Sequence, residues 1–229
     1  MLDVLGLCLN AKRTEVQSYN IIRPIGLHTL SGDFIKEVNN FKYLGAWTES
    51  SEKDFEVRKA LAWTACNKLK KIWSFQMSRN LKKRLFFATV ESVFLYGSET
   101  WSINKSLEKK IDGCYTRLLR MALNISWRQR LINAELYQEI PPVTKKIQRR
   151  RIMLSGHCVR HNDVCASDLV LWEPIEGTPN RGRKRISYVD NLIEDTGVNN
   201  VNELKTLMLD RNLSKTRVGN IGRPGGRHR

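Results

Sequence analysis

Six basic side chains, Lys145, Lys146, Arg149, Arg150, Arg151 and Arg160, fall between Val143 and Arg160 with no acid among them. Like charges packed this closely repel one another until a polyanion neutralises them, and each phosphate contact also releases counterions. A second group, Arg181, Arg183, Lys184 and Arg185, is crowded into five residues around Gly182. Arginine and lysine supply phosphate-directed donors, whereas neither stretch has a set of Asn, Gln and Arg side chains arranged to read base edges. The implied chemistry is binding of RNA or DNA through the phosphate backbone with little sequence preference. A solvated charged face is the alternative.

Other chemistries find less support in the residues. His157, Cys158, His161 and Cys165 include one Cys-x-x-His spacing, but a structural zinc site wants four ligands, usually from two such pairs, and no second pair follows. Cys158 also fits an apolar helical stripe, so no metal site is expected. There is no P-loop, H-E-x-x-H or Ser-His-Asp order, and no Asp-Asp pair after an aromatic strand. No catalytic residue and no cofactor is therefore assigned to this chain. The balance of 39 Lys and Arg against 23 Asp and Glu gives a formal charge of +16, a field that attracts polyanions. Five cysteines without a C-x-x-C pair suit a reducing compartment, and basic clusters double as nuclear addresses, so the expected location is intracellular, nuclear or cytoplasmic. No apolar run approaches the ~20 residues that span a bilayer. Neither a membrane nor a small-molecule substrate is expected as a partner.

The elements that must position these residues are mostly helices. Leu107, Ile111, Cys114, Tyr115, Leu118, Leu119 and Ala122 form an amphipathic stripe. Before it, Leu81, Leu85, Val90 and Val93 recur at helical spacing, with Ser78 as N-cap and Gly97 at the end. From 54 to 73 the stripe reads Val57, Leu61, Ala65, Leu69 and Ile72. These three helices would make a bundle with a core including Leu61, Leu69, Leu85, Val93, Leu118 and Leu119. A basic helix follows over Val143–Arg160, with Val143, Ile147, Leu154 and Cys158 on its apolar stripe, and shorter helices over 187–194 and 201–209. Residues 20–48 alternate around turn signals and predict short strands with Ile35, Val38, Phe41, Tyr43 and Leu44 inward. The expected fold class is mainly α with a small N-terminal β-hairpin region (α+β), a helical bundle followed by a basic helical C-terminal region. The expected boundaries are 1–50, 51–140, 141–210 and a disordered basic tail over 211–229.

Several of these stretches carry a resemblance. "LYGSETW" at Leu95 to Trp101, "FKYLG" at Phe41 to Gly45 and "LLRMALNISWRQRLINAELY" at Leu118 to Tyr137 are joined, in order, by "RRRIMLSGHCVRH", "RGRKR" and "DRN". Together they resemble the region downstream of the catalytic palm in non-LTR (LINE-type) retrotransposon reverse transcriptases, which are RNA-directed DNA polymerases. The resemblance implies that Phe41, Tyr43, Leu44 and Gly45 form a primer-grip-like hairpin and that 51–140 is the thumb. It also implies a truncated fragment that is inactive alone: the family's metal-holding aspartates, which use magnesium in the full-length enzyme, sit on a hairpin before the part matched here. The chain departs from the family at Arg13, where lysine usually precedes the threonine, and at Leu213 and Ser214 after "DRN". The alternative is an element-derived structural or protein-interaction domain with no nucleic-acid role.

Overall fold

The computed structural model describes residues 9–18, 26–29, 31–48, 50–161, 164–172 and 186–221. The chain divides into two compact units, 1–54 and 55–229. In the first, β1 (Glu15–Val16) runs parallel to β3 (Phe34–Glu37), and β2 (Leu27–His28) pairs antiparallel on the other side of β3. A separate hairpin joins β4 (Lys42–Tyr43) to β5 (Ala46–Trp47), with Lys42 opposite Trp47 and Tyr43 opposite Ala46. Its two-residue turn is Leu44-Gly45, with φ of 47° and 86°. Two positive φ values match the primed turn that the twist of paired strands prefers. Gly45 adopts this region freely, whereas the Leu44 side chain is crowded there.

Helices dominate the rest, so the chain is mainly α with small N-terminal sheets. They are α1 (Ser51–Lys68), α2 (Lys70–Ser74), α3 (Arg79–Phe86), α4 (Ser92–Phe94), α5 (Lys105–Ala122), α6 (Asn133–Glu139), α7 (Val143–Arg160), α8 (Val164–Val170), α9 (Tyr188–Thr196), α10 (Val201–Leu209) and α11 (Arg211–Asn220). Many starts are capped in the manner their sequences dictate. Ser78, Asn104 and Asn200 each accept a backbone N–H three residues on, and Ser187 with Asp190 makes a reciprocal capping box. None of the described helices is long and apolar enough to cross a membrane.

Two apolar clusters fill the helical unit. The larger joins Phe55, Ala62 and Cys66 of α1, Trp73, Phe86, Phe94 and Trp101 to the buried face of α5. Edge-on aromatic pairs run through it: Phe55 with Phe94 and Trp101, each at 6.1 Å, and Phe86 with Tyr115 at 5.5 Å. The smaller cluster joins Ile152 and Val159 of α7 to Val189, Leu192, Leu204 and Met208. Helix α7 serves both, because Val143 and Ile147 near its start belong to the larger cluster. It is the beam on which the two cores meet.

Several expectations need correction. All seven residues of the α5 stripe are buried, but on α1 the buried positions are Asp54, Phe55, Arg58, Ala62 and Cys66, the last three one residue out of phase with the expected stripe, and Leu61 is 45% exposed. The small Ala62 and Cys66 bring α1 close to α5, where the Cys66 thiol lies 3.9 Å from the Leu118 carbonyl oxygen. A π-helical turn over Phe87–Glu91 adds a residue to the next helix. The face turned inward there carries Phe86, Val90 and Phe94, while Leu85 and Val93 are only half-buried and Leu81 is exposed. In the hairpin Tyr43 and Leu44 are exposed rather than inward, since the turn places Leu44 at the tip. Leu154 and Cys158 are half-buried, and Arg151, Ile152, Ser155 and Val159 are buried on α7 instead. The expected tail from 211 is helical up to Asn220, because the Asp210 carboxylate caps the N–H groups of Asn212 and Leu213. Residues 222–229 lie outside the described residues.

Candidate nucleic-acid interface

The basic run on α7 is partly engaged from within the fold. Arg151 is 2% exposed and ion-paired at 2.5 Å with Asp195 of α9 through Nη1, and its Nη2 donates to the Trp101 carbonyl. Lys146 donates to Glu91 at 2.6 Å and lies 4.2 Å over the Phe87 ring. Arg149 donates to the Ile221 carbonyl, Arg150 to the Leu95 carbonyl at 2.8 Å, and Arg160 to the Met208 carbonyl at 2.6 Å. Arg150 also faces Glu99 at 4.0 Å. Lys145 is half-buried and near enough to Asp195 to draw its pKa down. Partners from the Leu95–Trp101 segment, α9 and the C-terminal helices thus engage these side chains; only Arg151 is buried, Lys145, Lys146, Arg149 and Arg160 are half-buried, and Arg150 remains exposed. Arg181, Arg183, Lys184 and Arg185 lie outside the described residues.

Burial sets the ionisation of these networks. Desolvation pushes the Asp195 carboxyl above its ordinary range although the Arg151 guanidinium beside it pulls the other way. Tyr115 donates to Glu91, and burial first, then that carboxylate, drives its hydroxyl far above the ordinary tyrosine value. Asp112 is likewise raised by burial, while the Thr144 N–H and hydroxyl, at 3.1 and 2.8 Å, partly stabilise its charge. No group of three or more His, Cys, Asp or Glu residues able to hold a metal ion occurs among the described residues. His157 and His161 sit side by side with ring centroids 5.5 Å apart.

Two other stretches are also rich in cations. Residues 57–90 contain nine Lys and Arg and no acid, and residues 113–134 contain four Arg and no acid. The fold joins these two stretches at a cleft of about 350 Å³ between α2 and the end of α5, lined by Lys70, Trp73, Ser74, Arg120, Met121 and Asn124. Lys68 at the end of α1, Lys71 on α2 and Arg117 on α5 are exposed beside it. Arg120 is anchored, donating to the Leu131 carbonyl at 2.6 Å and to Asn133 at 2.9 Å, and Lys82 is turned inward onto the Trp73 carbonyl at 2.6 Å. Asn124, just past the end of α5, has φ 55°, a left-handed position that Asn tolerates well. The signal in the sequence for this cleft is the length of the acid-free windows.

The primer-grip-like residues fall in one hairpin. Tyr43 and Leu44 are 61% and 75% exposed, Phe41 and Gly45 half-buried. A shallow pocket of about 360 Å³ lined by Glu15, Gln17, Phe41, Tyr43 and Thr48 lies beside it.

Comparison with known proteins adds one distant likeness. The chain is similar to a transposon-derived protein of Caenorhabditis elegans, 23% identical over 201 residues that cover 82% of this chain and 72% of that protein. No family model matches the chain, and no solved structure matches it.

Proposed function

We propose that this chain is transposon-derived, corresponds to the post-palm part of a non-LTR retrotransposon reverse transcriptase, and binds RNA or DNA by its phosphates. The observation that carries the binding is the α2–α5 cleft, whose lining holds Lys70 and Arg120 and no acid, together with Lys68, Lys71 and Arg117, which face solvent on α1, α2 and α5. Exposed cations exchange small counterions for phosphates. The likeness to the nematode protein and the order of the motifs support the origin. The exposed tip Tyr43-Leu44 supports a hairpin that touches a nucleic-acid strand: a leucine at positive φ is a local cost that contact with a ligand would explain. The role of these residues is binding rather than chemistry, because they include no Asp-Asp pair on an aromatic strand to hold catalytic magnesium.

The test is a salt series on duplex and single-stranded oligonucleotides, with the parent and the variant K68A/K70A/K71A/R117A. Binding should weaken for unrelated sequences alike, and the slope of log affinity on log salt should fall by about 0.9 for each duplex phosphate that the variant no longer neutralises. Equal slopes for parent and variant would remove the cleft surface from the interface. Failure of the parent to bind at low salt would favour an element-derived interaction domain.

A further inference from the structure

We propose that the groove between α7 and α11 is a pocket for one unpaired nucleotide of a single-stranded nucleic acid, a site distinct from the cleft surface. This pocket rests on the nucleic-acid reading above and adds a base-recognising contact to it. The groove encloses about 410 Å³, within the range of roughly 300–1,000 Å³ that small ligands occupy. Its floor is apolar, formed by the fully buried Ile152 together with Met153 and Val218. Met153 is 62% exposed, although it lies mid-helix between residues that pack inward. A thioether and an imidazole, Met153 and His157, stand one turn apart on the same wall, and the His161 ring continues it 5.5 Å from His157.

The rim has the opposite character. Arg211 and Lys215 are exposed on successive turns of α11 and line the groove, while Asp210, the acid next to them, is committed to capping Asn212 and Leu213. Arg160 is tied to the Met208 carbonyl and so shapes the groove rather than reaching out of it. No acid occurs in α7 or in α11. A flat apolar ring placed against sulfur and imidazole, with an anion held at the rim, describes a nucleotide: bases stack with little regard to sequence, and the phosphate meets the cations. A duplex offers no free base to such a groove. An acidic peptide would satisfy the rim but would not need an aromatic-sized floor.

The discriminating probe is a pair of fluorescein-labelled single strands of equal length, one of thymidine nucleotides and one with abasic sites throughout, followed by anisotropy. The parent should bind the base-bearing strand about tenfold more tightly than the abasic one. The variant M153A/H157A should lose that preference while binding the abasic strand as the parent does, and R211A/K215A should weaken binding to both strands. Equal affinity of the parent for the two strands overturns the pocket, as does a preference that survives in M153A/H157A. Displacement of the base-bearing strand by polyglutamate as readily as by unlabelled strand also overturns it, in favour of an acidic peptide. Duplex binding measured alongside separates the two readings. Loss of duplex binding with the base preference intact removes the cleft surface and keeps the pocket, and the reverse result does the opposite.

Discussion

Arg151 offers the sharpest division between charge as interface and charge as scaffold. Its guanidinium and the Asp195 carboxylate are 2% and 4% exposed, and it also donates to the Trp101 carbonyl at 3.0 Å. Replacing Arg151 by alanine strands a buried carboxylate and leaves that carbonyl without this donor, a destabilisation of about 3–5 kcal/mol. Domains of ordinary size have only ~5–15 kcal/mol of net stability, so the effect is large. Urea unfolding should show a fall in midpoint with an unchanged slope. The pair replacement R151M/D195L should recover most of the stability, because a hydrophobic pair of similar volume removes both desolvation penalties. In the salt series the folded R151M/D195L protein should keep the parent's slope, since Arg151 meets no phosphate. A variant R151A as stable as the parent, with its duplex slope reduced by about 0.9, would refute the scaffold reasoning.

Four further outcomes follow from the same structure. Leu118→Ala, at a fully buried position, should cost about 2–5 kcal/mol, and Leu61→Ala, at an exposed one, under about 0.5 kcal/mol, both read by urea unfolding. Among the described cysteines, half-buried Cys158 should react with iodoacetamide before Cys66 and Cys114, whose thiols burial pushes up, and mass mapping of the native protein would show any reversal. Asp112 is raised by burial, so its folded state holds a proton that the unfolded state releases first; its contribution to stability is complete below 3.8 and is lost as pH rises through the folded value, and D112N should remove that component of the stability–pH curve. On a primed RNA template with magnesium or manganese the 229-residue chain should extend no primer, and detectable extension would sink the binding-only reading.

Local signals in the sequence transferred well to the structure, and helix phase transferred on α5 but not on α1. Ser78 caps its helix, α5 buries its stripe, and the basic helix runs from Val143 to Arg160 as its pattern predicts. These features depend on a few neighbouring residues. The phase of α1 depends on what it packs against: Phe55 wedges between Phe94 and Trp101, and Cys66 meets α5, so the aliphatic stripe through Leu61 turns outward. The π-helical turn at Phe87–Glu91 likewise leaves no mark in a pattern read at a fixed period. A hairpin over Phe41–Gly45 was implied by the resemblance, but the outward Tyr43 and Leu44 required knowing which two residues make its turn.

Charge shows the same division more strongly. The α7 run is free of acids along the chain, yet Glu91 lies 55 residues from Lys146 and Asp195 lies 44 residues from Arg151 when each pair meets. Repulsion along one helix is therefore relieved by carboxylates that no local window contains, and those side chains pin α7 to α9 and to the Leu95–Trp101 segment. Acids engaged by α7 cannot neutralise cations elsewhere. The excess of 39 cations over 23 acids leaves positive charge elsewhere on the chain, and the α2–α5 cleft, whose lining holds Lys70 and Arg120 and no acid, carries some of it. A polyanion responds to charge left uncompensated in space, so on the proposed reading the longer, sparser window should attract it more than the shorter, denser α7 run, and the salt series on the two sets of variants decides between them.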